Sequence, residues 1–98
     1  MRKRDVMAAL REEAGAVKAL GATSLYLFGS TVRDDAGPDS DVDLIIDFDM
    51  DSQFSLIELV GIKQRLEHRL GVPVDVTTRD SLDPLLRDRI EASAERIF

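Results

Sequence analysis

Residues 29–48 read GSTVRDDAGPDSDVDLIIDF, and the two carboxylates in this run, Asp41 and Asp43, limit the chain's folding options most. They flank Val42 and lead directly into Leu44-Ile45-Ile46. A strand alternates its side chains, so both carboxylates fall on one face. Like charges held side by side repel and raise each other's pKa. A fold tolerates that arrangement most easily when a cation sits between them. Hard oxygen donors of this kind select magnesium or manganese.

Eleven residues before Asp41, Gly29-Ser30 closes the apolar, aromatic run Ser24-Leu25-Tyr26-Leu27-Phe28. Glycine lets the backbone bend sharply and lets a ligand approach closely. Free N–H groups at a helix start attract phosphate, and the serine hydroxyl adds a donor. Together the two pieces read as a divalent-metal site beside a phosphate-binding turn. Each piece alone has a plainer reading. Gly29-Ser30 is then an ordinary turn with a serine cap. Asp41 and Asp43 are then the acidic side of a half-exposed strand, a reading that Asp47 on the same face supports.

A third carboxylate, Asp75, stands between Val74 and Val76. Burying an ionised aspartate between two valines is costly without a partner. A metal shared with Asp41 and Asp43 supplies one; a solvent-facing strand position removes the need. Arg33, about one turn after Ser30, is placed either to neutralise a phosphate or to pair with the acidic loop, and the ion pair is the simpler role. His68, between Glu67 and Arg69, reads as a solvated surface residue. Tyr26 reads as packing, and Arg2-Lys3-Arg4 as a flexible basic end.

With 98 residues, the expectation is one domain spanning 1–98 with a modest core. The formal net charge of −6 argues against direct nucleic-acid binding, where a basic face normally supplies affinity, and against an anionic membrane surface. Residues 34–51 hold eight aspartates and no basic residue, a stretch that either collects cations or is solvated loop. There is no cysteine, so disulfides and cysteine–zinc sites are excluded and a reducing cytoplasm is the expected setting. Asp5, Arg11, Glu12 and Glu13 interrupt what would have to be the apolar part of a signal peptide. No segment approaches membrane-spanning length.

Val6, Leu10, Ala14, Val17 and Leu20 predict a helix from about Arg4 to Leu20, stopping near Gly21. Residues 24–28 and 41–48 predict strands, with a short helix at 30–33 and a loop at 34–40 between them. A helix over 55–70 follows, with Leu56, Leu59, Val60, Leu66 and Leu70 on its inner face and Gly71 as its stop. Residues 73–77 form a third strand. Asp83-Pro84 starts a last helix striped by Leu86, Ile90, Ala94 and Ile97. This order predicts an α/β (α+β) fold, a small mixed sheet covered by helices on one face.

The spacing Gly29-Ser30, ten residues, Asp41-x-Asp43 resembles the signature of minimal nucleotidyltransferases in the DNA polymerase beta superfamily. Arg33 and Ser40 also match, in the pattern GSxxRxxxxxxSDxDL. The 55–71 helix, the Val74-Asp75-Val76 strand and the ending with Ile90 and Ile97 look like that family's closing half, so the resemblance covers nearly the whole chain. Two positions depart from it: Asp34 stands where glycine is usual and Val32 where alanine is commoner. Neither removes an expected ligand; Asp34 bears on loop shape and reaction rate.

The resemblance implies a polymerase beta palm-like fold. Chains of this size resemble the MNT antitoxins, which are paired with a HEPN-domain ribonuclease toxin. The implied activity is transfer of AMP from ATP to a tyrosine hydroxyl of that toxin. Gly29 and Ser30 would hold the nucleotide triphosphate. Asp41 and Asp43 would bind magnesium or manganese against it, and Asp75 would complete a two-metal site or act as general base. Nothing is left over after the catalytic core to grip a small acceptor, so a protein is expected to present it. Two other functions compete: an antitoxin that neutralises by binding alone, and a nucleotidyltransferase acting on a small molecule.

Overall fold

The computed structural model describes residues 2–29, 41–49 and 51–98. The expected helix at 30–33 and loop at 34–40, with Ser30, Arg33, Asp34 and Ser40, lie outside the described residues. Strands β1 (Ala22–Phe28), β2 (Val42–Phe48), β3 (Val74–Thr78) and the short β4 (Glu95–Arg96) make one sheet in the order β3-β2-β1-β4. β1 runs antiparallel to β2 and β4, and β2 parallel to β3. Helices α1 (Lys3–Glu12), α2 (Ala14–Ala19), α3 (Leu56–Leu70) and α4 (Pro84–Ser93) complete the described elements, with a 3-10 turn at Arg79–Ser81.

Alternation builds the core. Leu25 and Leu27 of β1, Val42, Leu44 and Ile46 of β2, and Val74 of β3 pack with Val6 and Leu10 of α1, Val17 of α2 and Leu66 of α3. The sheet thus buries one face under α1–α3, as expected from the helix stripes. The opposite face carries Tyr26, Asp43, Ile45, Asp47 and Asp75. Ile45 is also buried there; it lines a cavity of about 70 Å³ with Tyr26, Arg79, Glu91 and Ala94, so the end of α4 approaches this second face.

α3 is well specified locally. Ser55 caps it with its hydroxyl on the Ile57 N–H, and Glu58 returns a bond to the Ser55 N–H at 2.9 Å. Gly71 ends it at φ 72°, a left-handed cap. Its inner face differs from expectation. Ile62, Leu66 and Leu70 are buried, whereas Leu56 and Val60 point outward.

The expected first helix is two helices. Glu13 sits at φ −89°, ψ 0°, closing α1 and opening α2, while its carboxylate accepts from Arg65 Nε of α3 at 2.6 Å. Within the basic start, Lys3 is the first residue of α1 and pairs with Glu95. At the far end, Asp83 caps α4 and Pro84 opens it as expected, but the helix stops at Ser93. Ile97 is buried beyond it, where its N–H donates to the Leu25 carbonyl.

Candidate active site

Three pieces of chain meet at one end of the second sheet face. β1 delivers Phe28 opposite Asp43 in the antiparallel register, so Gly29 follows directly beside that carboxylate. Gly29 adopts φ +80°, the region that side chains other than glycine rarely enter. A Cβ at this position would lie 2.6 Å from Asp43 Oδ2. Glycine is therefore required twice, by the turn and by the space Asp43 occupies. The parallel register sets Asp75 of β3 beside Asp43 of β2. Asp41 immediately precedes β2 and is exposed.

The electrostatics follow from this placement. Burial, then Asp75, then Asp41 hold the Asp43 carboxyl above the ordinary carboxylate value of 3.8. Asp43 therefore lies within Coulombic reach of both partners. None of the three carboxylates has a hydrogen bond or ion pair to a described residue. Among the described residues no three acidic or histidine side chains stand at coordinating distance around one point. The backbone thus brings the three aspartates to one site without gathering their oxygens. An all-carboxylate donor set suits a hard divalent cation such as magnesium, and such a cation would offset the repulsion Asp43 experiences. The fold sets Gly29 and Asp75 beside Asp43 and Asp41 two residues before it; Ser30 lies outside the described residues.

Asp47 shares the strand face but not the site. It accepts from Ser24 Oγ at 2.6 Å and from Arg79 Nε at 2.9 Å. Arg79 also pairs with Glu91 of α4 and places its guanidinium 4.7 Å from the Tyr26 ring centre. This network ties β1, β2 and α4 together. Arg79 was not singled out by sequence; the available signal was Asp47, a carboxylate next to buried Ile46 that needed a cation. Tyr26 packs under that cation, and His68 is exposed on α3, both in line with the roles read for them.

The sequence matches the family described as "Nucleotidyltransferase domain" over residues 10–97. A predicted protein adenylyltransferase of Methanocaldococcus jannaschii is 41% identical over 70 residues, covering 71% of this chain and 73% of that one. The protein adenylyltransferase MntA of Thermococcus cleftensis is 39% identical over 62 residues, 63% of this chain and 61% of that one. Among solved structures, a predicted minimal nucleotidyltransferase superposes with TM-score 0.84 at 32% identity, covering 97% of this chain and 95% of that one. A more distant structure, the tri-AMPylated HEPN toxin of Shewanella oneidensis in complex with an MNT antitoxin, superposes with TM-score 0.66 at 16% identity and covers 94% and 71%. At that identity it speaks to the fold alone. No helix among the described residues is long and apolar enough to cross a membrane.

Proposed function

This chain belongs to the nucleotidyltransferase domain family, and from that premise we propose that it is an antitoxin enzyme. It transfers AMP from ATP to a tyrosine hydroxyl of a HEPN-type ribonuclease toxin and so silences it. The observation that carries this reading is the register of β2 and β3, which sets Asp75 beside Asp43 while Gly29 turns against Asp43. The relatives described as protein adenylyltransferases support the reaction class, and the partner class follows from the sequence's resemblance to the MNT antitoxins.

The residues take these roles. Gly29 and Ser30 present backbone and hydroxyl donors to the ATP triphosphate. Asp41 and Asp43 would hold magnesium or manganese, and Asp75 would share a second ion. Such ions would supply charge neutralisation for the entering and leaving oxygens. The acceptor oxygen forms its bond to the α-phosphorus as the bond to the β,γ-diphosphate breaks, and pyrophosphate leaves. Asp75, on the edge strand β3, would take the hydroxyl proton. Residues 1–98 act as one catalytic unit in a cytoplasmic setting, with the toxin presenting its own acceptor.

Mixing the purified chain with the candidate toxin, ATP and magnesium and weighing the toxin tests this. The expected result is a mass gain of one or more AMP groups, lost with Asp41→Asn/Asp43→Asn. Neutralisation of the toxin without a mass gain would overturn the enzymatic reading and leave binding as the mechanism.

A further inference from the structure

The apolar residues that α3 leaves outside the core form a groove at the end of the molecule remote from Asp43. Leu56 is 72% exposed, Ile57 81% and Val60 41%, although each lies in the first turns of a helix that is otherwise well packed. Leu56 joins two concavities. One, of about 420 Å³, has Phe48, Phe54 and Leu59 in its walls and Asp80 at its side. The other, of about 450 Å³, runs over Ile57 and Val60 past Gly61 to Gln64. The floor is firm, because Phe48 and Phe54 stack with ring centres 4.6 Å apart. Ser55 and Glu58 also lock the helix start.

Charge distinguishes this groove from an ordinary apolar patch. Asp49 and Asp51 on the loop before α3, and Asp80 in the wall of the first concavity, are exposed carboxylates. Two arginines lie near this end: Arg79, matched by Asp47 and Glu91, and Arg87, which lines the neighbouring pocket with Phe48 and Asp80 and donates to the Arg79 carbonyl. Lys63, two turns along α3, leaves the helix start itself acidic. A second copy of this chain would bring the same carboxylates against their like, a costly arrangement for self-pairing. Complementarity calls for the opposite: apolar side chains flanked by lysine or arginine.

We propose that the Leu56–Val60 groove docks an apolar segment with basic flanks on the protein partner, so that partner recognition and AMP transfer occupy opposite ends of β2. The identity of that partner as the toxin rests on the function proposed above; the chemistry of the groove does not. A ribonuclease that holds RNA needs basic surface, which fits this acidic rim.

The test uses the full isotope-labelled chain and two synthetic helical peptides with the same Leu/Ile face, one flanked by lysine and one by glutamate. The lysine peptide is expected to shift the amides of residues 56–64, to bind at least tenfold more tightly than the glutamate peptide, and to weaken as salt is raised. Ile57→Glu should cut its affinity tenfold or more, and Asp49→Lys/Asp51→Lys should do likewise without touching the apolar floor. Equal binding of both peptides, shifts elsewhere on the surface, or self-association of the chain through these residues would overturn the proposal. Magnesium–ATP shifts at Gly29, Asp43 and Asp75 are read in the same samples. Their absence would sink the nucleotidyl-transfer reading while leaving the groove result standing.

Discussion

Asp43 pays for its position with a perturbed carboxyl, and that cost makes a test. Its pKa is raised, chiefly by burial and then by Asp75 and Asp41, so the folded chain holds the Asp43 proton more tightly than the unfolded chain does. Stability at this group is therefore lost as pH rises from the unfolded value through the raised folded one, and the full cost remains at neutral pH. Asp43→Asn should melt at a higher temperature than wild type at pH 7 in chelator, with the gap closing as the pH is lowered through the carboxylate range. The same variant should lose nucleotide transfer by roughly 10²-fold or more, since stabilisation of several kcal/mol is at stake. Magnesium with ATP should raise the wild-type melting temperature but not the variant's. A second residue-scale expectation concerns Gly29. Gly29→Ala combines a strained backbone with a Cβ directed at Asp43. It should cost about 1–3 kcal/mol in urea unfolding and weaken magnesium–ATP binding by calorimetry.

At the scale of elements, α3 and the Arg79 network decide how firmly the site is framed. Ser55→Ala removes the cap of α3 and should lower stability by about 1 kcal/mol in chemical denaturation. Glu58, its partner in the cap, has a lowered pKa, first through the Ser55 side chain and then through backbone bonds. Its contribution is present above the unfolded value near 4.5 and is lost as pH falls through the folded one. The advantage of wild type over Glu58→Gln should accordingly vanish in mild acid. Arg79 joins Asp47 of β2 to Glu91 of α4, and both carboxylates are about one-third exposed. Arg79→Leu leaves Asp47 without its cation and should cost roughly 1–3 kcal/mol. A double-mutant cycle with Asp47→Ala should show strong coupling between the two. The elements legible in the sequence were those with strong local signals: the apolar runs of β1 and β2, the Ser55 and Gly71 boundaries of α3, and Asp83-Pro84 before α4. The break at Glu13 was not legible, because Arg65 on a distant helix helps to fix that residue's side chain. β4 was not legible either; two residues have no strand period, and they pair only because β1 offers a free edge.

Over the whole molecule, the net charge of −6 and the acidic end near α3 predict steering of a basic partner. Its association rate, measured by stopped flow, should fall on the order of tenfold from low to high salt, with a much smaller change in the dissociation rate. Shape and chemistry are separated in this small fold. The apolar concavities lie around Phe48 and the start of α3, whereas the aspartates sit at the opposite end of β2.

The turn at Gly29, the Asp41-x-Asp43 alternation and the valine-flanked Asp75 were all readable along the chain, because a strand's two-residue period and glycine's freedom are local properties. Which outer residues of α3 stay exposed was not readable, since Leu56 and Val60 are as apolar as Ile62 and only the sheet's position selects among them. Nor could sequence tell that Asp47 belongs to a structural ion-pair network while Asp43, four residues earlier on the same face, meets Asp75. That division depends on which strand and which cation arrive next to β2, a matter of register between segments far apart in the chain. Local chemistry named the candidates, and pairing across the sheet sorted them.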